Sequence, residues 1–93
     1  MKVLSHADIE QKLGALRGWQ LTPDGIRKRY EPGDFMSVIR LVNRVAEAAE
    51  RADHHPDILI QYDKVTFTLI THDAGGITQK DFDLAGRIEA LAS

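Results

Sequence analysis

The sequence predicts an α+β protein: a four-stranded antiparallel sheet with three helices packed on one face, in the order α-β-β-α-β-β-α. Three observations carry this reading. Apolar residues recur at helical spacing near the start, in the middle and at the end of the chain. Two pairs of short alternating stretches lie between these segments. A short polar turn joins each pair, which makes its strands antiparallel neighbours and leaves the helices to cover one side.

The first helix is expected over about residues 6–16. Ser5-x-x-Asp8 resembles a capping box, Ile9, Leu13 and Leu16 follow at helical spacing, and Gly18 stops the run. Trp19–Thr22 and Ile26–Glu31 flank Pro23-Asp24-Gly25 and predict a hairpin. Asp34 then caps the strongest helix, with Phe35, Val38, Ile39, Val42, Val45, Ala46 and Ala49 on one side and Arg40, Asn43, Arg44, Glu47 and Glu50 opposite. Leu41 and Ala48 widen the apolar arc to roughly half the circumference, more than a helix lying on one sheet needs. The surplus is expected to meet a second subunit. Pro56 ends the run, and Asp57–Thr71 alternates as a second hairpin broken at Asp63-Lys64. Gly75-Gly76 forces a turn, Thr78-x-x-Asp81 caps the third helix, and Phe82, Leu84, Ala85, Ile88 and Leu91 give it an inward face.

The 93 residues, 43% hydrophobic and 28% charged, suit a single domain over residues 1–93. With no cysteine, no disulfide staples its thin core, which makes support from a partner subunit expected. A formal charge of −2 supplies no basic field for direct nucleic-acid binding or an anionic membrane. Nowhere do eighteen apolar residues follow one another, and no apolar run follows the N-terminus, so neither a membrane span nor a signal peptide is expected and a cytoplasmic location is. G-x-S-x-G, P-loop and G-x-G-x-x-G patterns are absent, which leaves serine hydrolysis and nucleotide chemistry without support.

Histidines carry the chemistry. A second-hairpin turn centred near residues 63 and 64 sets His72 beside His54 and His55. Adjacent histidines tend to point apart, HExxH and HxH spacings are missing and no cysteine can complete a tetrahedral shell, which disfavours a metal site even though Asp53 or Asp73 could supply oxygen. Metal-free acid/base work fits better, because imidazole gains and loses protons near neutral pH. Glu50, one helical turn before His54, is placed to accept an imidazole N–H, with Asp53 and Asp81 as further carboxylates.

Glu50-x-x-x-His54-His55-Pro56, followed at set spacing by Tyr62, His72 and Asp81, resembles the signature of the pterin-4a-carbinolamine dehydratases, also called 4a-hydroxytetrahydrobiopterin dehydratases. The likeness runs over nearly the whole chain, through Gly18-Trp19, Val45-Ala46-Glu47 and Thr71-His72. It implies three active-site histidines, His54, His55 and His72, and pocket or substrate-binding positions at Glu50, Asp53, Pro56, Lys80 and Asp81. Ile58 stands where the family commonly has tryptophan, and Lys80 where arginine is frequent.

The implied reaction dehydrates the 4a-hydroxytetrahydropterin released by aromatic amino acid hydroxylases, without metal or redox cofactor. His54 and His72 are expected to exchange acid and base roles, His55 to orient the pterin, and Glu50 or Asp53 to hold an imidazole. The resemblance also implies a homodimer or homotetramer. Its alternatives are a pterin-binding protein without turnover and a dimerisation cofactor of a transcription factor.

Overall fold

The computed structural model describes residues 2–93. Its elements are α1 (His6–Leu13), β1 (Gln20–Thr22), β2 (Gly25–Tyr30), α2 (Phe35–Ala52), β3 (Asp57–Gln61), β4 (Lys64–Leu69) and α3 (Gln79–Ala92), with a short 3-10 turn over His72–Ala74. The order is the expected one. The strands form one antiparallel sheet in the order β1-β2-β4-β3. β4 presents Val65, Phe67 and Leu69 to the core at every second position, and Ile26 of β2 joins them opposite Leu69. Thr66, Thr68, Arg27 and Arg29 therefore occupy the other face.

Helix ends follow the cap residues. Ser5 Oγ accepts from Asp8 N–H, Asp34 Oδ1 from Ser37 N–H, and Thr78 forms a capping box with Asp81. α1 is shorter than expected, ending at Leu13 with Gly14 as its cap, and the chain continues to Leu16 in tighter turns. Gly14 is the reason: glycine stabilises a helix interior poorly, while Leu16 still packs on the core from the turn.

Two expectations about α2 are overturned. Leu41 and Ala48 are only 1% and 4% exposed within the chain itself, because α2 serves two neighbours, the sheet and α3. The wide apolar arc is thus filled by the protein's own third helix rather than by a second subunit. Conversely Phe35, at the head of the arc, stays largely exposed, as does Ala46. The apolar surface left uncovered lies chiefly on β3, an edge strand whose Ile58, Leu59 and Ile60 are all exposed.

The second hairpin turns one residue earlier than its polarity suggests. Gln61 pairs with Lys64 around Tyr62-Asp63, and Tyr62 takes a φ of 54°, the left-handed conformation that two-residue hairpin turns ask of their first residue. Beyond β4, Thr71 bridges to Gly76 and closes a small loop, with Gly75 at a φ of 79°. The N-terminal segment braces this loop: Leu4 N–H donates to Ile77 C=O at 2.8 Å, and Val3 lies so near Gly76 that a Cβ there would come within 2.9 Å of Val3 Cγ1.

Candidate active site

The end of α2 aims the histidine pair. Asp53 caps the helix in the left-handed region at a φ of 50°, and its N–H and that of His54 fold back to Glu50 and Ala49 carbonyls. Aspartate is among the few residues that accept this conformation without glycine. The reversal sends His54 inward and His55 back over the helix. His55 Nε2 therefore meets Glu50 Oε1 at 2.6 Å, both exposed, so Glu50 holds His55 and not His54 as its spacing suggested.

His54 is held from α3. Its Nε2 lies 2.6 Å from Asp81 Oδ1, with His54 9% and Asp81 0% exposed. Asp81 Oδ2 accepts from Thr71 Oγ1 at 2.8 Å and from Thr78 N–H at 2.9 Å, and the two threonine hydroxyls meet at 2.8 Å. A carboxylate so loaded has only acceptor capacity to offer, which assigns the proton between it and the ring to His54 Nε2. That leaves Nδ1 as the ring nitrogen of His54 not engaged by Asp81. It makes no hydrogen bond, and among the described residues no buried side-chain nitrogen or oxygen lacks a partner, so Nδ1 keeps contact with solvent.

A cleft of about 630 Å³ opens beside this cluster, lined by Asp53, His54, His55, Ile70, Thr71, His72, Asp73, Ala74 and Lys80. The three histidines thus share one cavity, although not by the register expected. The hairpin's pairing, if continued, sets Thr71 level with His54, and both side chains meet Asp81. His72 reaches the cleft from the 3-10 turn instead of from a strand end. Of the other expected positions, Asp53 and Lys80 line the cavity, Glu50 and Asp81 stand behind imidazoles, and half-buried Pro56 contributes no lining. Ile58 is outside it as well, and the apolar lining comes from Ile70 and Ala74. Among the described residues, no three histidine, aspartate or glutamate side chains converge as a metal-ligating group. Thr71 and Thr78, which motif spacing singled out only as strand end and cap, join the Asp81 cluster from ten and three residues away, Thr71 through its hydroxyl and Thr78 through its N–H.

Fold and site together define an α+β protein with a histidine-lined cleft at the end of an antiparallel sheet, two of its three imidazoles braced by carboxylates from two helices. The chain belongs to the pterin 4 alpha carbinolamine dehydratase family, whose model matches residues 2–91. It is 50% identical to an Acidobacterium capsulatum protein over 91 residues, 98% of this chain and 99% of that one. It is 53% identical to one from Roseiflexus sp. over 88 residues, 95% of each; both relatives carry the name "Putative pterin-4-alpha-carbinolamine dehydratase". Among solved structures, a transcriptional coactivator/pterin dehydratase from Brucella melitensis superposes with a TM-score of 0.94 at 31% identity, over 99% of this chain and 100% of that one. A pterin dehydratase-like RuBisCO assembly factor of the alpha-carboxysome aligns at 0.65 and 25% identity, over 81% and 87%.

Proposed function

We propose that this protein is a 4a-hydroxytetrahydropterin dehydratase, a hydro-lyase that releases water and quinonoid dihydropterin by histidine acid/base catalysis. The observation that carries the reading is the single cleft lined by His54, His55 and His72, with His54 locked to a fully buried aspartate. Loss of the 4a-hydroxyl breaks the C4a–O bond as the N5 lone pair forms a C=N bond. An acid protonates the departing oxygen and a base removes the N5 proton, so one proton enters and one leaves. Two imidazoles suffice for this exchange, each positioned group contributing roughly 10²–10⁴ in rate. His54, through Nδ1, and His72 take these roles in either order, and no metal or redox cofactor is needed. His55, held by Glu50, orients the ring, and Asp81 is a positioning residue that fixes the His54 tautomer.

The test is stopped-flow decay of 4a-hydroxytetrahydropterin with and without the protein. Acceleration is expected, falling by at least about tenfold in His54→Ala and in His72→Ala, with His55→Ala raising KM more than it lowers kcat. An unaccelerated decay would instead favour a non-catalytic role, such as those of coactivator and assembly factor by which the two structural relatives are named.

We also propose a cytoplasmic homo-oligomer, dimer or tetramer, with no membrane or direct nucleic-acid partner. Among the described residues, no helix is long and apolar enough to cross a membrane. The unpaired β3 edge, with Leu59 55% exposed, is the surface best suited to pair with its twin. Light scattering of Leu59→Lys is expected to show a smaller assembly than the unmodified chain; equal masses would place the contact elsewhere.

A further inference from the structure

A second cleft, of about 400 Å³, adjoins the first and is lined by Ala48, Arg51, Ala52, His54, Lys80, Asp83, Leu84 and Arg87. His54 and Lys80 border both cavities. Arg51 comes from the last turn of α2, Lys80 and Arg87 from α3, and no carboxylate among the described residues lies within ion-pair distance of any of them. Nor do their side chains donate a hydrogen bond, and the single carboxylate of the lining, Asp83, accepts from Gln79. Three cations against one anion make this groove positive in a chain whose formal net charge is −2. The pterin ring system is uncharged near neutral pH, so recognition of the ring leaves these cations unexplained.

We infer that the second cleft is an anion-binding subsite for the pterin's side chain, making the preferred substrate a pterin whose side chain ends in a phosphate or carboxylate. The inference rests on the dehydratase reading of the adjoining cleft. With the ring against the histidines, a side chain passing His54 and Lys80 enters the groove, where two guanidinium groups offer paired donors to a terminal oxyanion. The apolar floor of Ala48 and Leu84 suits the intervening carbons.

Calorimetric titration with 7,8-dihydroneopterin, its 3′-triphosphate and 7,8-dihydrofolate tests this by binding alone, independently of turnover. An anionic ligand is expected to bind about tenfold tighter than neutral dihydroneopterin, roughly 1.4 kcal/mol. The gain should shrink as salt is raised, because exposed charges are screened. Preference for the triphosphate identifies a phosphate subsite, and preference for dihydrofolate a carboxylate one. In the double variant Arg51→Gln, Arg87→Gln the ratio of anionic to neutral affinity should fall below about threefold, whereas Arg51→Lys, Arg87→Lys retains most of it. Both arginines are exposed, and matching melting curves confirm that the fold is kept. Equal affinities for all three ligands in the unmodified protein overturn the subsite and leave the dehydratase reading standing. Absence of binding by any of the three overturns both.

Discussion

Two carboxylates of α3, one near each end of the helix, build polar clusters with opposite outcomes. Asp81, at the third position of the helix, accepts hydrogen bonds from His54, the Thr71 hydroxyl and Thr78 N–H. Glu89, two turns further on, gathers Trp19 Nε1 at 3.2 Å, Lys28 Nζ at 2.5 Å and the Tyr30 hydroxyl on one oxygen. Lys28 also sits 4.8 Å from the centre of the Tyr30 ring and donates to Arg17 C=O. Burial, and then the adjacent Glu89 carboxylate, push the Tyr30 hydroxyl far above its ordinary value. Burial opposes the charge on Glu89, yet Lys28 and Tyr30 together hold its carboxyl below its usual range. The Glu89 cluster therefore ties sheet, helix and Trp19 loop together without offering a proton at neutral pH. In the Asp81 cluster one ring nitrogen remains free at the margin of a cavity. A polar network becomes a candidate for chemistry when one of its members is left unsatisfied toward a space that a ligand can fill.

The sharpest way to break this contrast is Asp81→Asn. The amide preserves shape but presents an N–H to His54 Nε2, which moves the ring proton to Nδ1. The expected loss in kcat is about a hundredfold or more. Thermal unfolding should show a further cost of roughly 1–3 kcal/mol from the buried groups left mismatched. Retained kcat would show that the His54 tautomer is irrelevant to turnover. Glu89→Gln should give the converse, a stability loss of about 1 kcal/mol with kcat/KM within about twofold of the unmodified protein. A large activity loss there would erase the distinction between the two clusters.

The smallest effect concerns acid. Because the folded protein holds Glu89 below its ordinary value of 4.5, this residue contributes stability above that pH and loses it as pH falls through the lowered value. Melting temperatures of the unmodified protein and Glu89→Gln should therefore converge on going from about pH 7 to about pH 3. A constant difference would show that Glu89 acts through shape and not through charge.

The same contrast explains what could be read in advance. Element order and all three helix starts were legible because periodicity and caps are local: Ser5, Asp34 and Thr78 announce their helices within four residues. The three histidines of the cleft were legible as well, since the hairpin folds both ends of one short segment together. The pairing of His54 with Asp81 was not, because it spans 27 positions and depends on how α3 docks on α2. That docking also consumes Leu41 and Ala48, whose wheel positions look like surplus when α2 is considered alone. Tyr62 concealed the turn, since an aromatic residue at positive φ breaks the usual association of such turns with glycine or asparagine.

The bracing of the His72 loop by Val3 and Leu4 ties the cavity to chain order. Strand and helix patterns are complete within local stretches, but the loop that carries His72 gains its outer support only when the first residues meet positions 76 and 77. The wall of the cleft that carries His72 is thus tied, through Gly76 and Ile77, to residues at the far end of the chain. Removing Val3 and Leu4 is therefore expected to loosen the turn that carries His72 while most of the helix and sheet persists, read as faster amide exchange at residues 72–77 than in the sheet.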